Sequence, residues 1–193
     1  MKHALYPVLD TSRLRLRLAE AHEAEHVSAY YTRNEPHLRA WEPERPHGFF
    51  TAPFWKERLA TYADQSLAGT SFRFFLFPST QTLQREVGTI VGSISLTQIE
   101  RGAFMCGRLG FSVDAGGEGR GLMREALSAV VDFGFRDVGL HRIEANHQPQ
   151  NLRSAALLRR VGFEIQGYAR DYLFIGGAWR DHVLTARTSP GQD

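Results

Sequence analysis

The sequence predicts a mixed α+β fold whose first half is antiparallel and whose middle runs strand–helix–strand–helix. Leucine and arginine alternate over residues 13–18, which is the two-residue period of a half-buried strand. Apolar residues recur at helical spacing between residues 122 and 136, so that one helix face is apolar. The Gly176–Gly177 pair separates two strand-like runs and is typical of a β-hairpin turn.

The other elements follow from the same periods and from the positions of proline and glycine. Helices are predicted over 20–33, 53–68, 122–136 and 151–161. Strands are predicted over 11–18, 71–77, 87–99, 103–113, 141–148, 163–175 and 178–186. Pro53 suits the first position of its helix, and Gly69 suits its end. The segment 36–46 is predicted to be a loop, because proline interrupts the hydrogen bonds of helices and sheets.

Length and composition predict one globular domain over residues 1–193 and exclude global disorder, because 42% of the residues are hydrophobic and 23% are charged. No apolar run approaches the roughly 18 residues of a membrane span. The N-terminal segment lacks the apolar stretch of a signal peptide, so we expect a cytoplasmic protein that binds no membrane. The single cysteine, Cys106, excludes an intramolecular disulfide and any Cys-x-x-Cys metal site.

The basic residues are almost all arginine, with Lys2 and Lys56 as the exceptions. Codon bias is the leading explanation of this preference. The alternative is a surface that binds phosphate or RNA, because the guanidinium fork matches phosphate oxygens. The net charge of +2 permits that alternative without requiring it.

The glycine-rich segment 116–121 follows a predicted strand and opens a predicted helix. Such a loop can turn its backbone N–H groups into one concavity, which binds an anion together with the positive end of the helix. The dinucleotide-binding pattern is excluded because Leu122 and Arg124 stand where its third glycine would be. The P-loop pattern is excluded because Gly121 is followed by Leu122, where that pattern has lysine. A pyrophosphate cradle of another kind and a plain tight turn both remain possible.

This segment resembles the acetyl-CoA pyrophosphate loop of the GCN5-related N-acetyltransferases (GNAT), although Gly116 stands where that family has glutamine or arginine. The second family element, an asparagine and a serine three residues later, is matched by Asn151 and Ser154. The resemblance implies a mixed, centrally splayed sheet of about seven strands flanked by helices. It also implies acetyl-CoA as the acetyl donor.

Five further segments resemble the RimJ family, which acetylates the N-terminal alanine of a small-subunit ribosomal protein. They are residues 41–43, 121–127, 141–154, 162–173 and 179–186. The resemblance runs from about residue 11 to 189, nearly the whole chain. It implies direct acetyl transfer to a protein N-terminus, with a ribosomal protein as partner and ribosome or RNA contact through arginines. Acetylation of a small-molecule amine and a ribosome-assembly role with secondary catalysis are the alternatives.

The resemblance assigns cofactor contacts to the strand before the loop, the loop itself and the start of the following helices. We expect backbone N–H groups of residues 118–123 to bind the pyrophosphate and the strand 111–113 to pair with the pantetheine arm. The predicted cofactor-binding residues are Phe111, Ser112, Val113, Glu118, Gly119, Arg120, Gly121, Leu122, Met123, Asn151 and Ser154.

The catalytic residues are less clear from the sequence. The resemblance implies that Ser154 donates a proton to the departing thiolate. A related family has a carboxylate where Leu173 stands here, so Asp171, two residues away on the expected strand face, is one candidate base. Glu42 is the other, with substrate contact as a further possible role, and a surface acid is the plain alternative for both. We expect no metal site, since the histidines of the His-Glu-x-x-His segment 22–26 have no convincing third ligand.

Overall fold

The computed structural model describes residues 6–79 and 88–191, and within them eight strands form one mixed sheet in the order β1-β2-β3-β4-β5-β6-β8-β7. The strands are β1 (Leu9–Asp10), β2 (Leu14–Arg17), β3 (Phe72–Pro78), β4 (Gly92–Glu100), β5 (Cys106–Val113), β6 (Arg142–His147), β7 (Glu164–Ile175) and β8 (Ala178–Thr188). The helices are α1 (Ala24–Leu38), α2 (Ala52–Leu67), α3 (Leu122–Arg136) and α4 (Leu152–Arg160).

The two faces of the sheet carry separate apolar cores, because successive side chains of a strand point to opposite faces. Phe74 on β3 and Ile94 on β4 pack with the apolar stripe of α3, which includes Leu127. Phe75, the next residue of β3, packs on the other face with Trp55 of α2 and with α1. The sheet therefore separates an α3/α4 side from an α1/α2 side.

The sheet splays open between β5 and β6, which are its parallel pair. These strands pair only where residues 106–108 meet residues 142–144. β5 continues to pair with β4 as far as Val113, so its other edge from residue 109 onwards faces a gap. The predicted α+β fold with a splayed centre is confirmed, with eight strands in place of about seven.

The β7–β8 turn is the hairpin that the Gly176–Gly177 pair predicts. Ile175 pairs with Ala178, so the two glycines form the whole connection. Their φ values of 59° and 76° lie in the left-handed region, which a two-residue hairpin turn uses and which glycine adopts without strain.

Several predicted boundaries are wrong. The strand predicted over 103–113 begins only at Cys106, and the strand predicted over 11–18 is confined to Leu14–Arg17. Pro36 lies inside α1, which continues to Leu38, because burial of Asn34 and Leu38 in this last turn offsets the hydrogen bond that proline cannot donate. The strand predicted over 87–99 begins only at Gly92. Val87 lies outside the described residues.

Candidate active site

The loop between β5 and α3 presents a row of unbonded backbone donors. Gly119 and Gly121 have φ values of 71° and 75°, and Gly121 is the N-cap residue of α3, which has no side-chain cap. Within the described residues, no hydrogen bond is assigned to the backbone N–H groups of residues 119–124. These donors and the positive end of α3 fit a pyrophosphate.

The unbonded donors begin one residue later than the sequence predicts. The N–H of Glu118 already donates to the carbonyl of Ala115 at 3.4 Å. The side chain of Glu118 forms an ion pair with Arg153 of α4, and its Oε1 lies 3.4 Å from Nε2 of His37 of α1. Leu122 and Met123 are buried in the core, so only their backbones are available to a ligand.

Side chains from α1 hold the start of this loop in place. Arg33 Nε donates to Asp114 Oδ2 at 2.7 Å, and Asn34 Oδ1 accepts a hydrogen bond from the Ala115 N–H at 2.9 Å. Asp114 Oδ1 accepts one from the Gly116 N–H at 3.0 Å. Burial raises the pKa of Asp114, but the hydrogen bonds from Arg33 and Asn34 outweigh it and bring the net pKa below its ordinary value.

Arg13, the residue before β2, holds the other end of the loop. Arg13 Nη1 donates to the carbonyl of Arg120 at 2.8 Å, and Arg13 Nε pairs with Glu125 at 2.7 Å. Burial raises the pKa of Glu125, but hydrogen bonds from Thr11, Arg13 and Ser12 lower it to about 2. The anion-binding loop is therefore fixed by ionised groups at both ends.

A cavity of about 1460 Å³ passes through the gap between β5 and β6 and reaches both faces of the sheet. Apolar residues such as Ile94 and Leu109 line it on the α3/α4 side, beside the anion-binding loop. On the α1/α2 side its floor is polar, with Ser93, Ser95 and Arg108 among its residues. A ligand bound at the loop can therefore meet a second ligand lying on the polar floor.

Four hydroxyl groups form a chain beside this floor. Tyr30 Oη lies 3.0 Å from Ser112 Oγ, Ser112 Oγ lies 3.0 Å from Ser93 Oγ, and Ser93 Oγ lies 3.3 Å from Tyr31 Oη. Burial raises the pKa of Tyr31 above the ordinary value of a phenol. The Ser112 side chain therefore belongs to the α1/α2 side, which leaves the backbone of 111–113 as the part that a cofactor could pair with.

Asn151 and Ser154 meet in the structure through a helix cap. Asn151 Oδ1 accepts a hydrogen bond from the Ser154 N–H at 3.0 Å, which satisfies one free donor of α4. Both residues line the cavity. Asn151 Nδ2 and Ser154 Oγ thus remain as groups that could contact a cofactor.

A bulge in β7 separates Asp171 from the cavity. Ala169 pairs with His182 and Leu173 pairs with Arg180, so three residues of β7 stand opposite Asp181 alone. Asp171 is exposed, with a φ of 47°, and its N–H donates to Asp181 Oδ1 at 2.9 Å. The alternation that the sequence predicts fails here, and the cavity is lined by Tyr172 and Leu173 instead of Asp171.

The bulge brings a tyrosine to the cavity that the sequence analysis missed. Tyr172 Oη accepts a hydrogen bond from Asn146 Nδ2 at 3.2 Å, so its own O–H proton is free to donate elsewhere. The Tyr172 ring lies 5.3 Å from the ring of His182, measured between centroids. A bulge has no clear local sequence signal here, which is why this residue was not predicted.

Two buried histidines line the cavity, and in each of them one ring nitrogen lies within hydrogen-bond distance of a backbone carbonyl. His182 Nδ1 lies 3.0 Å from the Arg180 carbonyl, and His147 Nδ1 lies 2.9 Å from the Gln148 carbonyl. A carbonyl oxygen only accepts, so Nδ1 carries the proton and Nε2 of the neutral ring keeps its lone pair. Each histidine therefore offers a proton acceptor.

Glu42 also lines the cavity but is already paired. Its carboxylate forms an ion pair with Arg45, whose guanidinium lies 4.3 Å from the Phe49 ring centroid.

Within residues 6–79 and 88–191, no group of three histidine, cysteine or acidic side chains could hold a metal ion. In the part of the chain that the structure describes, no helix is both long and apolar enough to span a bilayer.

The family is decided by a match to the model of the acetyltransferase (GNAT) domain over residues 13–164. The chain belongs to the GNAT acetyltransferase family. As a member of this family it is an acetyl-CoA-dependent acetyltransferase, and the unbonded donors of the loop fit that cofactor.

Similar proteins include ribosomal-protein acetyltransferases. The chain is 40% identical over 182 residues to the [ribosomal protein uS5]-alanine N-acetyltransferase of Escherichia coli, covering 94% of this chain and 91% of that protein. The ribosomal-protein-S5-alanine acetyltransferase of Vibrio fischeri superposes with a TM-score of 0.87 at 35% identity, covering 94% of this chain and 96% of that one. Mycobacterium smegmatis RimJ, solved with CoA-disulfide, superposes with a TM-score of 0.83 at 28% identity, covering 95% and 87%.

Proposed function

We propose that this acetyltransferase acetylates the N-terminal α-amine of a protein, with an alanine of the small-subunit ribosomal protein uS5 as the leading acceptor. The observation that carries the proposal is the cavity through the splayed sheet, which joins the anion-binding loop to a separate polar floor. The similarity to uS5-alanine N-acetyltransferases over nearly the whole chain supports the choice of acceptor.

The cofactor residues would lie on the α3/α4 side and along the free edge of β5. Backbone N–H groups of residues 119–124 would bind the pyrophosphate, and the edge 111–113 would pair with the pantetheine arm. Acetyl-CoA supplies the acetyl group as a thioester. A backbone N–H near this edge that polarises the thioester carbonyl would contribute about 3–4 kcal/mol to transition-state stabilisation.

The acceptor amine needs only a modest base. A protein α-amine has a pKa of about 8, so roughly a tenth of it is neutral at pH 7. We propose that His182 Nε2 takes the remaining proton, and two observations support this: its Nδ1 lies within hydrogen-bond distance of a carbonyl, and its ring lies beside Tyr172. Glu42 is tied to Arg45 and suits substrate contact better, and the exposed position of Asp171 does not support a role as base.

Two hydroxyl groups could protonate the departing thiolate. Ser154 Oγ lines the cavity at the start of α4, in agreement with the role that the family resemblance implies. Tyr172 lines the cavity from β7 and has a free O–H proton. We propose that one of these two residues is the proton donor.

Three further properties of the chain are its domain organisation, its location in the cell and its contact with RNA. We propose that residues 1–193 act as one domain, since β7 and β8, which extend beyond the family match, belong to the same sheet as β1–β6. We also propose that it works in the cytoplasm, where ribosomal proteins are made. RNA contact through arginines stays a prediction, and several arginines, such as Arg17 with Glu23, are held in ion pairs.

Mass spectrometry tests the proposed function. The protein is incubated with acetyl-CoA and an alanine-starting ribosomal peptide that also contains a lysine, and tandem spectra locate the acetyl group. We expect one acetyl group on the α-amine and none on lysine, whose amine has a pKa of about 10.4 and would need a stronger base. Absence of acetylated peptide would overturn the proposal.

A small-molecule amine is the second candidate acceptor. The chain is 25% identical to the spermidine N(1)-acetyltransferase of Escherichia coli over 39% of its length. Arg73 on the cavity floor has no carboxylate partner among the described residues and would repel a polycation, which argues against a polyamine. A panel of small amines in the same assay distinguishes the two, because a faster reaction with any of them than with the peptide would favour the alternative.

A further inference from the structure

We propose that Arg73 binds the carboxylate of an acidic side chain among the first residues of the acceptor peptide. This inference rests on the proposed function, because it names a subsite for the peptide that the enzyme acetylates. It would make Arg73 a specificity-determining residue, with no part in the chemical step.

Arg73 is the second residue of β3 and lies on the polar floor of the cavity. Its Cα pairs with that of Ser95 on β4, and Ser95 in turn pairs with Gly110 on β5. Directly paired residues share a sheet face, so the side chain of Arg73 lies on the α1/α2 side. It lines the cavity together with Tyr31 and Tyr62.

The guanidinium of Arg73 is held in place but not neutralised. It lies over the Tyr62 ring, 4.2 Å from the centroid. Its Nε is buried and has no hydrogen-bond partner among the described residues. Within residues 6–79 and 88–191, no carboxylate lies within 4.0 Å of it.

Arg45, a second arginine of the cavity, differs from Arg73 because its charge is neutralised. Arg45 also lines the cavity and is half-buried, but it forms an ion pair with Glu42. The hydroxyl of Tyr31 lies near both guanidinium groups, and both act to lower its pKa against the larger effect of burial. This end of the cavity therefore holds two positive charges and one nearby negative charge, which leaves Arg73 to attract an anion.

The reach of a peptide fits this position. β3 is two strands from β5, so the two strand axes are about 10 Å apart. An extended peptide advances about 3.3 Å per residue, so a chain whose amine lies at the β5 edge brings its second to fifth residues near Arg73. A carboxylate side chain matches the planar guanidinium fork, which is the partner that arginine binds with two parallel hydrogen bonds.

Paired peptides test the subsite. Alanine-starting peptides carry one glutamate at position two, three, four or five, and each has a partner with glutamine at that position. In the parent protein we expect kcat/KM to be about tenfold higher for glutamate than for glutamine at one position, equivalent to about 1.4 kcal/mol. Arg73→Gln should reduce this ratio to about one while glutamine peptides keep most of their kcat/KM.

Arg58→Gln is the matched control. Arg58 also lies over an aromatic ring of α2, 5.2 Å from the Phe54 centroid, but it is exposed and does not line the cavity. The glutamate preference should survive in this variant. Arg73→Lys keeps the charge but lacks the fork, so it should retain part of the preference.

Two results would overturn the inference, and a third separates it from the proposed function. A glutamate/glutamine ratio near one at every position in the parent protein would show that no acidic subsite exists. A preference that is unchanged in Arg73→Gln, or an equal loss for both peptides of a pair, would show that Arg73 only packs against Tyr62. If no alanine-starting peptide is acetylated at all, the proposed function fails and this inference fails with it.

Discussion

Replacing Gly119 by alanine separates the cost of the loop conformation from the cost to the cofactor. Gly119 has a φ of 71°, and a Cβ built on it meets no protein atom within 4 Å. The added methyl group therefore causes no clash in the free protein. It would project from the loop among the donors that we assign to the pyrophosphate.

The expected magnitudes follow from these two facts. A left-handed conformation costs a residue other than glycine about 1–2 kcal/mol, and the narrower unfolded ensemble of alanine offsets about 0.4–1 kcal/mol of that. Gly119→Ala should therefore lower the free energy of unfolding by about 1 kcal/mol. Loss of one N–H contact to a charged phosphate costs about 1.5–3 kcal/mol, so affinity for acetyl-CoA should fall about ten- to hundredfold.

Gly139→Ala is the control, because Gly139 has a φ of 74°, meets no atom within 4 Å of its added Cβ and does not line the cavity. Denaturant titration should show a similar loss of stability in both variants. Isothermal titration calorimetry should show weaker acetyl-CoA binding only in Gly119→Ala. Unchanged affinity in Gly119→Ala, or an equal loss in both variants, would refute the assignment of the loop.

Three further predictions concern the supports of the loop and the proton donor. Asp114→Asn weakens the contact with α1 and should raise the KM for acetyl-CoA about tenfold, with a smaller change in kcat. Asp132→Asn is the control, because Asp132 lies in an exposed ion pair, and it should leave both KM and kcat unchanged. Glu125→Gln should lower the free energy of unfolding by about 1–2 kcal/mol at pH 7. Because the pKa of Glu125 in the folded protein is about 2, the difference between parent and variant should shrink as the pH falls from about 5 towards 2. Denaturant titrations measure it, and a difference that stays constant with pH would contradict the prediction. Of Ser154→Ala and Tyr172→Phe, the variant that removes the proton donor should lower kcat about 10²-fold or more with little change in KM, and full activity in both would exclude both.

Local patterns gave the parts of the fold that depend on neighbouring residues. The glycine-rich loop and the Gly176–Gly177 hairpin were predictable because glycine adopts a positive φ with less strain than other residues. The end of α1 was not, because the packing of Asn34 and Leu38 outweighs the local effect of Pro36.

The candidate site was also predictable only in part, because some of its contacts join residues that are far apart in the sequence. The loop and the Asn151–Ser154 pair were found from their spacing, although the cap that joins these two residues was not anticipated. The hydroxyl chain joins Tyr30 to Ser112 across 82 positions of sequence. No local pattern reports a contact of that range, and the bulge that exchanges Asp171 for Tyr172 is likewise set by pairing with β8.

A crystal structure with a bisubstrate conjugate tests the central claim most directly. The conjugate joins the α-amine of an alanine-starting peptide to the sulfur of CoA through an acetyl linker. We predict that the pyrophosphate contacts the N–H groups of residues 119–124, that the linker crosses the sheet between β5 and β6, and that the peptide lies on the polar floor beside Arg73. A peptide bound on the α3/α4 side, or a linker that does not pass through the gap, would contradict the account.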